Sequence, residues 1–466
     1  MPRLRRAETP TRPTGDAVLS RFSLPCLATL FALCAAVLGG CAHRSADSPV
    51  ADAAPSPGTA APTVPVVLVP GITGSELIDP ETDKVVWGLG SNLIRPKDHG
   101  YTLVRPLTEP IAEAARDLRA GDVLSRVRLG PVKKEIYGPV FSFLEGAGYR
   151  FGDLEAPRPS DSLFAFAYDW RGDNILAAAR LRQLLDDLAD GWGDGYEVDL
   201  VCQSNGAHIC RYLLKYGGAT LEVAEAGRAG PPERFRIRKL ILVGTSNGGA
   251  LRILREVDRG RRYVPWIGRR MEAEVLFSFP SIFQDLPAHL EKPFIDPSGR
   301  PVDLDLFDAD TWVDRGWSVF RGEARARMAS RPDLFGDDGA REAYLREVLD
   351  RARRLHRLLA ADVDAFPGSR YFLVQNGYEP TPHLAIVGLD GNALSFTGDD
   401  VLEDHPYLDA LASRPGDGHA SLPSQMALSP QERAAVAQPV FYVEAEHFQV
   451  IIQPETLRRL LDFLDE

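Results

Sequence analysis

From Pro65 onward the chain alternates between short apolar runs and longer stretches with helical spacing. Val66-Val-Leu-Val69 is closed by Pro70-Gly71, and Leu163-Phe-Ala-Phe-Ala-Tyr168 by Asp169-Trp170-Arg171; both have the length and β-branched or aromatic content of buried strands. Further strands are predicted at Val198–Val201, Lys239–Val243, Tyr371–Val374 and Val440–Val443. Between them, Asn174–Ala189 sets Leu176, Leu181, Leu184, Leu185 and Leu188 on one face behind Asp173 or Asn174 as cap. Helices are also predicted from Asn205 to about Tyr216, over Tyr344–Val363, and over Glu455–Leu464 with Leu457, Leu460, Leu461 and Leu464 inward. Strand and helix in alternation predict a parallel sheet covered on both faces.

The first 40 residues break this pattern. Arg3, Arg5, Arg6, Arg12 and Arg21 precede an apolar run from Leu24 to Leu38 that ends in Leu38-Gly39-Gly40-Cys41. A run of this length is short for a membrane span, and the small residues at its end favour cleavage, so residues 1–40 read as a signal peptide. The final tetrapeptide resembles the lipobox of bacterial lipoproteins, which implies lipidation at Cys41. Ala42 follows it, which in such proteins implies an outer-membrane address in the cell envelope. Residues 42–62 hold almost no large apolar side chain and read as a tether, leaving 63–466 as the folded domain.

Net charge is −12; removing the leader's +3 gives −15, which argues against a surface built for nucleic acid. Only Cys202 and Cys210 lie in the folded part. Two cysteines cannot build a multi-bridge framework, and a spacing of eight makes neither a CxxC pair nor a zinc site, so no metal or cofactor is expected.

Chemistry gathers at the strand ends. Val201-Cys-Gln-Ser-Asn-Gly206 follows an apolar strand and opens a helix, the context in which a GxSxG elbow exposes a serine, here with Cys202 in the first glycine's place. Ser204 needs a base and an orienting acid, which in this arrangement follow it in the order acid, then His. His447 alone among the histidines lies between the last strand and the last helix. For the acid, Asp417 in Gly416-Asp-Gly418 competes with Asp399 and Asp400. The Asn205 backbone N–H, next after the nucleophile, is one expected oxyanion donor, which leaves its side-chain identity free.

Val69-Pro-Gly-Ile-Thr-Gly-Ser-Glu-Leu77, Tyr168-Asp-Trp-Arg171, the Ser204 elbow, Gly416-Asp-Gly418 with Pro423 and Ser424, and His447 together resemble the lecithin:cholesterol acyltransferase and lysosomal phospholipase A family. Phe279-Pro-Ser281, Leu304-Asp-Leu-Phe-Asp308 and Trp312 extend the likeness, which runs with gaps from about Val66 to Leu464. The resemblance implies an α/β-hydrolase fold, a mainly parallel doubly wound sheet with cap insertions. It also implies acyl transfer or hydrolysis at lipid esters, with Ser204 as nucleophile, Asp417 as acid, His447 as base and Ile72 as the other oxyanion donor. Gln203, where the family has His, and His419, where it has Thr, depart from the pattern.

The stretch from about 251 to 370 is too long for a βα loop and is the expected cap. It carries Trp266, Trp312, Trp317, Phe277, Phe279 and Phe283 with Arg252, Arg255, Arg259, Arg261, Arg262, Arg269 and Arg270, a composition suited to anionic headgroups or to a solvated helix face over core aromatics. The expected partners are a lipid ester and, through Cys41, a membrane surface; the oligomeric state is not legible. A serine hydrolase of another substrate class, such as a peptidase or polyester esterase, and a non-catalytic lipid-binding lipoprotein are the competing readings.

Overall fold

The computed structural model describes residues 64–94, 96–111, 118–129, 132–263, 268–390 and 392–466. The leader, Cys41, the tether and Trp266 lie outside the described residues.

Six parallel strands form the central sheet: β1 (Val66–Val69), β2 (Leu163–Ala165), β3 (Tyr196–Gln203), β4 (Phe235–Val243), β5 (Arg370–Gln375) and β6 (Phe441–Tyr442), in the order β6-β5-β4-β3-β1-β2. The predicted strands are all present, although β3 and β4 start earlier and β2 stops at Ala165. Beyond it, Phe166 to Trp170 leave the sheet and turn toward the site.

Strand residues alternate between the two faces, and here both faces are buried. In β1, Val66 and Leu68 join the cluster under the helices α1 (Gly138–Gly146) and α8 (Pro454–Asp465), while Val67 and Val69 join the larger cluster on the other side. That larger cluster is covered by α2 (Asn174–Trp192), α3 (Gly206–Tyr216) and α7 (Asp338–Ala360). Asp173, not Asn174, caps α2 by accepting from the Ile175 N–H at 2.7 Å. In α8, Leu457, Leu460 and Leu464 are buried as the spacing predicts and Leu461 is half-buried.

The segment after β4 carries α4 (Leu251–Arg259), α5 (Ala273–Phe277), α6 (Pro280–Gln284) and α7. It does not close on itself at residue 370. Its short strand Phe294–Ile295 pairs with Ala385–Asp390 from the excursion after β5, and Ile295, Ile386, Leu402, Leu408 and Ala412 share a small core. The layer beyond the sheet therefore draws on both excursions.

From β1 the chain goes to β2 at one edge, then returns across β1 to build β3 on its other side. Crevices form outside the carboxyl ends of strands at such a reversal. The loops leaving β1 and β3 stand side by side there, because Val69 is in register with Cys202.

Candidate active site

The loop after β3 carries Ser204 at φ +54°, a left-handed conformation that costs a non-glycine residue roughly 1–3 kcal/mol and persists only where the surroundings enforce it. The sharp turn presses α3 against β1: a Cβ on Gly206 would lie 2.5 Å from the Val69 carbonyl oxygen, and one on Gly71 would lie 2.7 Å from the Ser204 Cβ. Neither position accepts a side chain. Cys202, in the place of the elbow's first glycine, is disulfide-bonded to Cys210 on α3, and both are fully buried. A spacing of eight residues excludes a CxxC pair, yet across an elbow it brings the end of a strand against the second turn of the next helix.

Ser204 Oγ is 2.8 Å from His447 Nε2, and His447 Nδ1 is 2.7 Å from Asp417 Oδ2. All three residues are buried. His447 follows β6, and its own N–H donates to the Asp417 carbonyl at 3.1 Å. Asp417 sits on a turn after the strand Ser413–Gly416, which pairs with Glu379–Pro382; the Gly418 N–H donates to Thr381 Oγ1 at 2.8 Å. The remaining carboxylate oxygen, Oδ1, accepts the N–H groups of His419 (2.9 Å) and Ala420 (2.8 Å). Burial alone would raise the Asp417 pKa, but the His447 charge and these hydrogen bonds outweigh it and hold the carboxyl below its usual range. Asp399 is occupied elsewhere, accepting from Arg255 and Arg259, and Asp400 is exposed.

The β1 loop bearing Ile72 is braced from three directions. The Gly71 N–H donates to the Tyr137 hydroxyl (3.2 Å), which in turn donates to Gln203 Oε1 (2.7 Å). The Tyr168 hydroxyl donates to the Pro70 carbonyl (3.1 Å), and the Trp170 indole N–H donates to the Ser75 carbonyl (3.1 Å). The Arg171 guanidinium holds the Asp169 carboxylate from Nε and Nη2 and donates to the Leu103 carbonyl. Ser281 Oγ donates to the Trp170 carbonyl at 2.6 Å, so the Phe279-Pro-Ser281 segment joins the same brace. Gln203 thus has a buried partner of its own. The Asn205 side chain is not free to vary as its backbone role suggested: it is fully buried, exchanges hydrogen bonds with Asn174 (2.8 and 2.9 Å) and donates to Tyr168.

Two further titratable residues occupy the site without a signal in the sequence that marks them as a pair. His419 stacks on His447, ring centroids 4.4 Å apart, and its Nε2 lies 3.4 Å from Asp285 Oδ2. Burial, reinforced by the neighbouring His447 charge, lowers the His419 pKa well below the ordinary histidine value, so its ring is neutral. Asp285 lines the cleft beside Ser204 and accepts from Ser246 Oγ at 2.6 Å. Burial raises its pKa to about 7, with Glu256 and Asp417 pushing the same way against Ser246 and His447.

The fold is that of an α/β hydrolase: a doubly covered parallel sheet with a serine elbow after β3 and the acid and histidine following in chain order. No protein-family model matches the chain, and no curated protein matches it. Among solved structures, the Tle4-Tli4 complex contains a chain similar over 86% of this one and 98% of its own length, at 11% identity and a TM-score of 0.49. The mature form of Bacillus licheniformis lipase BlEst2 is similar over 88% of this chain and 94% of its own, at 13% identity and a TM-score of 0.26. Identities this low transfer no chemistry, so the site is read from its own geometry. Among the described residues no group of three or more His, Cys, Asp or Glu is arranged to hold a metal ion, and no helix is long and apolar enough to cross a membrane.

Proposed function

We propose that this chain is a serine-dependent lipid-ester hydrolase or O-acyltransferase that works through an acyl-enzyme. The observation that carries the reading is the line from Ser204 Oγ to His447 Nε2 and from His447 Nδ1 to Asp417, at the carboxyl ends of β1 and β3. Ser204 attacks the ester carbonyl while His447 Nε2 takes its proton, and Asp417 accepts from Nδ1–H and stabilises the imidazolium. The N–H groups of Ile72 and Asn205 receive the oxyanion. Collapse expels the alcohol, protonated by His447, and water or a second alcohol then takes the acyl group from Ser204.

What favours a lipid acyl chain is the apolar side of the narrow cleft around the serine, Ile72, Trp170, Ile253, Leu276, Ile282 and Phe448, which shares the lining with Glu256, Arg261, Tyr263, Asp285 and His419. Phe448 is 40% exposed and its ring lies 5.1 Å from that of His447, so an apolar surface is open to solvent beside the base. The likeness of the sequence motifs to lecithin:cholesterol acyltransferase points the same way. So does Cys41, whose lipidation would hold the enzyme on an envelope membrane facing its substrate; a Cys41→Ser variant should then lose detergent partitioning. A fluorophosphonate probe should label Ser204 and nothing in Ser204→Ala. Incubation with mixed phospholipids, with and without a long-chain alcohol, should release fatty acid or acyl ester. Labelling that survives Ser204→Ala, or cleavage of short esters with no lipid ester consumed, would overturn the reading.

A further inference from the structure

His419 and Asp285 meet beside the triad in an arrangement that repeats its Asp–His half. His419 Nε2 lies 3.4 Å from Asp285 Oδ2, as His447 Nδ1 faces Asp417, and the two imidazoles are stacked with 30° between their planes. The far nitrogens differ. His447 Nε2 meets Ser204 Oγ, whereas His419 Nδ1 is buried and has no hydrogen-bond partner among the described residues, although His419 lines the cleft with Ser204 and is 5% exposed. A buried ring nitrogen left unpaired is costly, and a polar group entering the cleft removes that cost.

Which group suits it follows from the proton on the ring. His419 is neutral, so only one of its nitrogens carries hydrogen. Asp285 Oδ1 accepts from Ser246 Oγ, which leaves Oδ2 to accept from Nε2–H when the carboxyl is ionised. Nδ1 then holds a lone pair and can only receive a hydrogen. In the second half of the reaction the acyl acceptor gives one hydrogen to His447. Water has a second O–H, and an alcohol has none.

We propose that His419, set in its tautomer by Asp285, is a specificity-determining residue that accepts the second O–H of an attacking water, so that the acyl group passes to water in preference to an alcohol. The proposal rests on the acyl-enzyme reading and decides its acceptor. The water oxygen bonds to the acyl carbon while one hydrogen moves to His447 Nε2. The bond to Ser204 Oγ then breaks as that hydrogen passes to Oγ, and the hydrogen held by His419 stays with the carboxylic acid that leaves.

The preference depends on the Asp285 charge. Glu256, paired with Arg252 and Arg261, and the Asp417–His447 pair face Asp285 and His419, and the neutral Tyr168 hydroxyl lies near Asp285. Burial first, and then these neighbours, set the Asp285 carboxyl at about 7. As pH falls through that value Oδ2 gains a proton and donates it to Nε2, Nδ1 becomes an N–H donor that any acceptor oxygen can meet, and the preference for water is lost.

The test follows one acyl-enzyme to two products. Turnover of p-nitrophenyl butyrate in buffer containing 1-butanol gives butyric acid and butyl butyrate, and the ratio of ester to acid does not depend on how much enzyme is folded or on the titration of His447, which serves both. His419→Phe keeps a ring against His447 without its nitrogens and should raise that ratio about tenfold. His419→Asn, whose Oδ1 can accept in place of Nδ1, should fall between. In the wild type the ratio should rise severalfold from pH 8 to pH 6, and Asp285→Ala should abolish that change. An unchanged ratio in both His419 variants overturns the proposal even where turnover and melting temperature drop, since that is the mark of a ring that only packs against His447. So does a wild-type ratio that is flat with pH, which decides the matter if the variants do not fold. No Ser204-dependent release of p-nitrophenolate would instead sink the acyl-enzyme reading.

Discussion

Replacing Asp417 by Asn tests the site most sharply, because the surrounding hydrogen bonds dictate how the amide must sit. Oδ1 of Asp417 accepts two backbone N–H groups, at 2.9 and 2.8 Å, and only a carbonyl oxygen can take that place. The amide NH2 is thereby forced into the position of Oδ2, facing His447 Nδ1 across 2.7 Å. Two donors cannot share that contact, so His447 must present a lone pair at Nδ1 and move its proton to Nε2. That nitrogen faces Ser204 Oγ at 2.8 Å and is then no longer a base. A wrong tautomer of this kind lowers turnover by something on the order of 10⁴, which is about 5 kcal/mol of transition-state stabilisation. The assay is kcat/KM on a short p-nitrophenyl ester, with melting temperatures measured alongside, and Asp399→Asn as the control. Asp399 serves Arg255 and Arg259, so its loss should leave turnover within about threefold. The reasoning fails if Asp417→Asn keeps more than a tenth of wild-type activity, or if Asp399→Asn is equally crippled.

Asp285 has its carboxyl raised to about 7 by burial, so the folded state holds a proton that the unfolded chain releases near 4, and this group's contribution to stability falls as pH rises between those values. Asp285→Asn should therefore raise the melting temperature at pH 8 more than at pH 5 while lowering kcat/KM several-fold; equal shifts at both pH values would refute this. Under α3, Arg211 makes two hydrogen bonds to Glu432 at 2.8 and 2.7 Å, both side chains fully buried. Burial would raise the Glu432 pKa, but Arg211 overrides it and holds it at about 2, so this pair contributes stability above the ordinary carboxylate range and loses it as pH falls from about 4.5 toward 2. Glu432→Gln should cost about 3–5 kcal/mol at neutral pH, read as a lower urea midpoint, and the gap to wild type should narrow in acid. Reducing the Cys202–Cys210 bridge, which closes a loop of about nine residues, should remove about 2.6 kcal/mol of unfolding free energy by loop-closure entropy. An unchanged urea midpoint after reduction would refute that.

Much of this molecule was legible locally. The run Val66–Val69 offers no polar side, as a strand buried on both faces requires, and the spacing of Leu457, Leu460 and Leu464 fits an inward helical stripe. Ser204 stood out because its place between an apolar strand and a helix already specifies a sharp turn, and a sharp turn is a statement about neighbouring residues alone. Asp417 was narrower but still partly local, since the flanking glycines allow the turn while saying nothing of what the carboxylate meets.

The tertiary structure decided whatever depends on two distant segments meeting. Asp285 and His419 are 134 residues apart, and each by itself is an ordinary polar residue in a loop; they face one another because the excursions after β4 and β5 pack together over the sheet. The same packing gives Asp399 to Arg255 and Arg259 and leaves Asp417 to His447. It also sorts seven arginines of one short segment into partners, surface charges and a single guanidinium in the cleft. Periodicity reports which face of an element avoids water. It carries no information about which titratable group waits on the other side, and the function of this site is set by those groups.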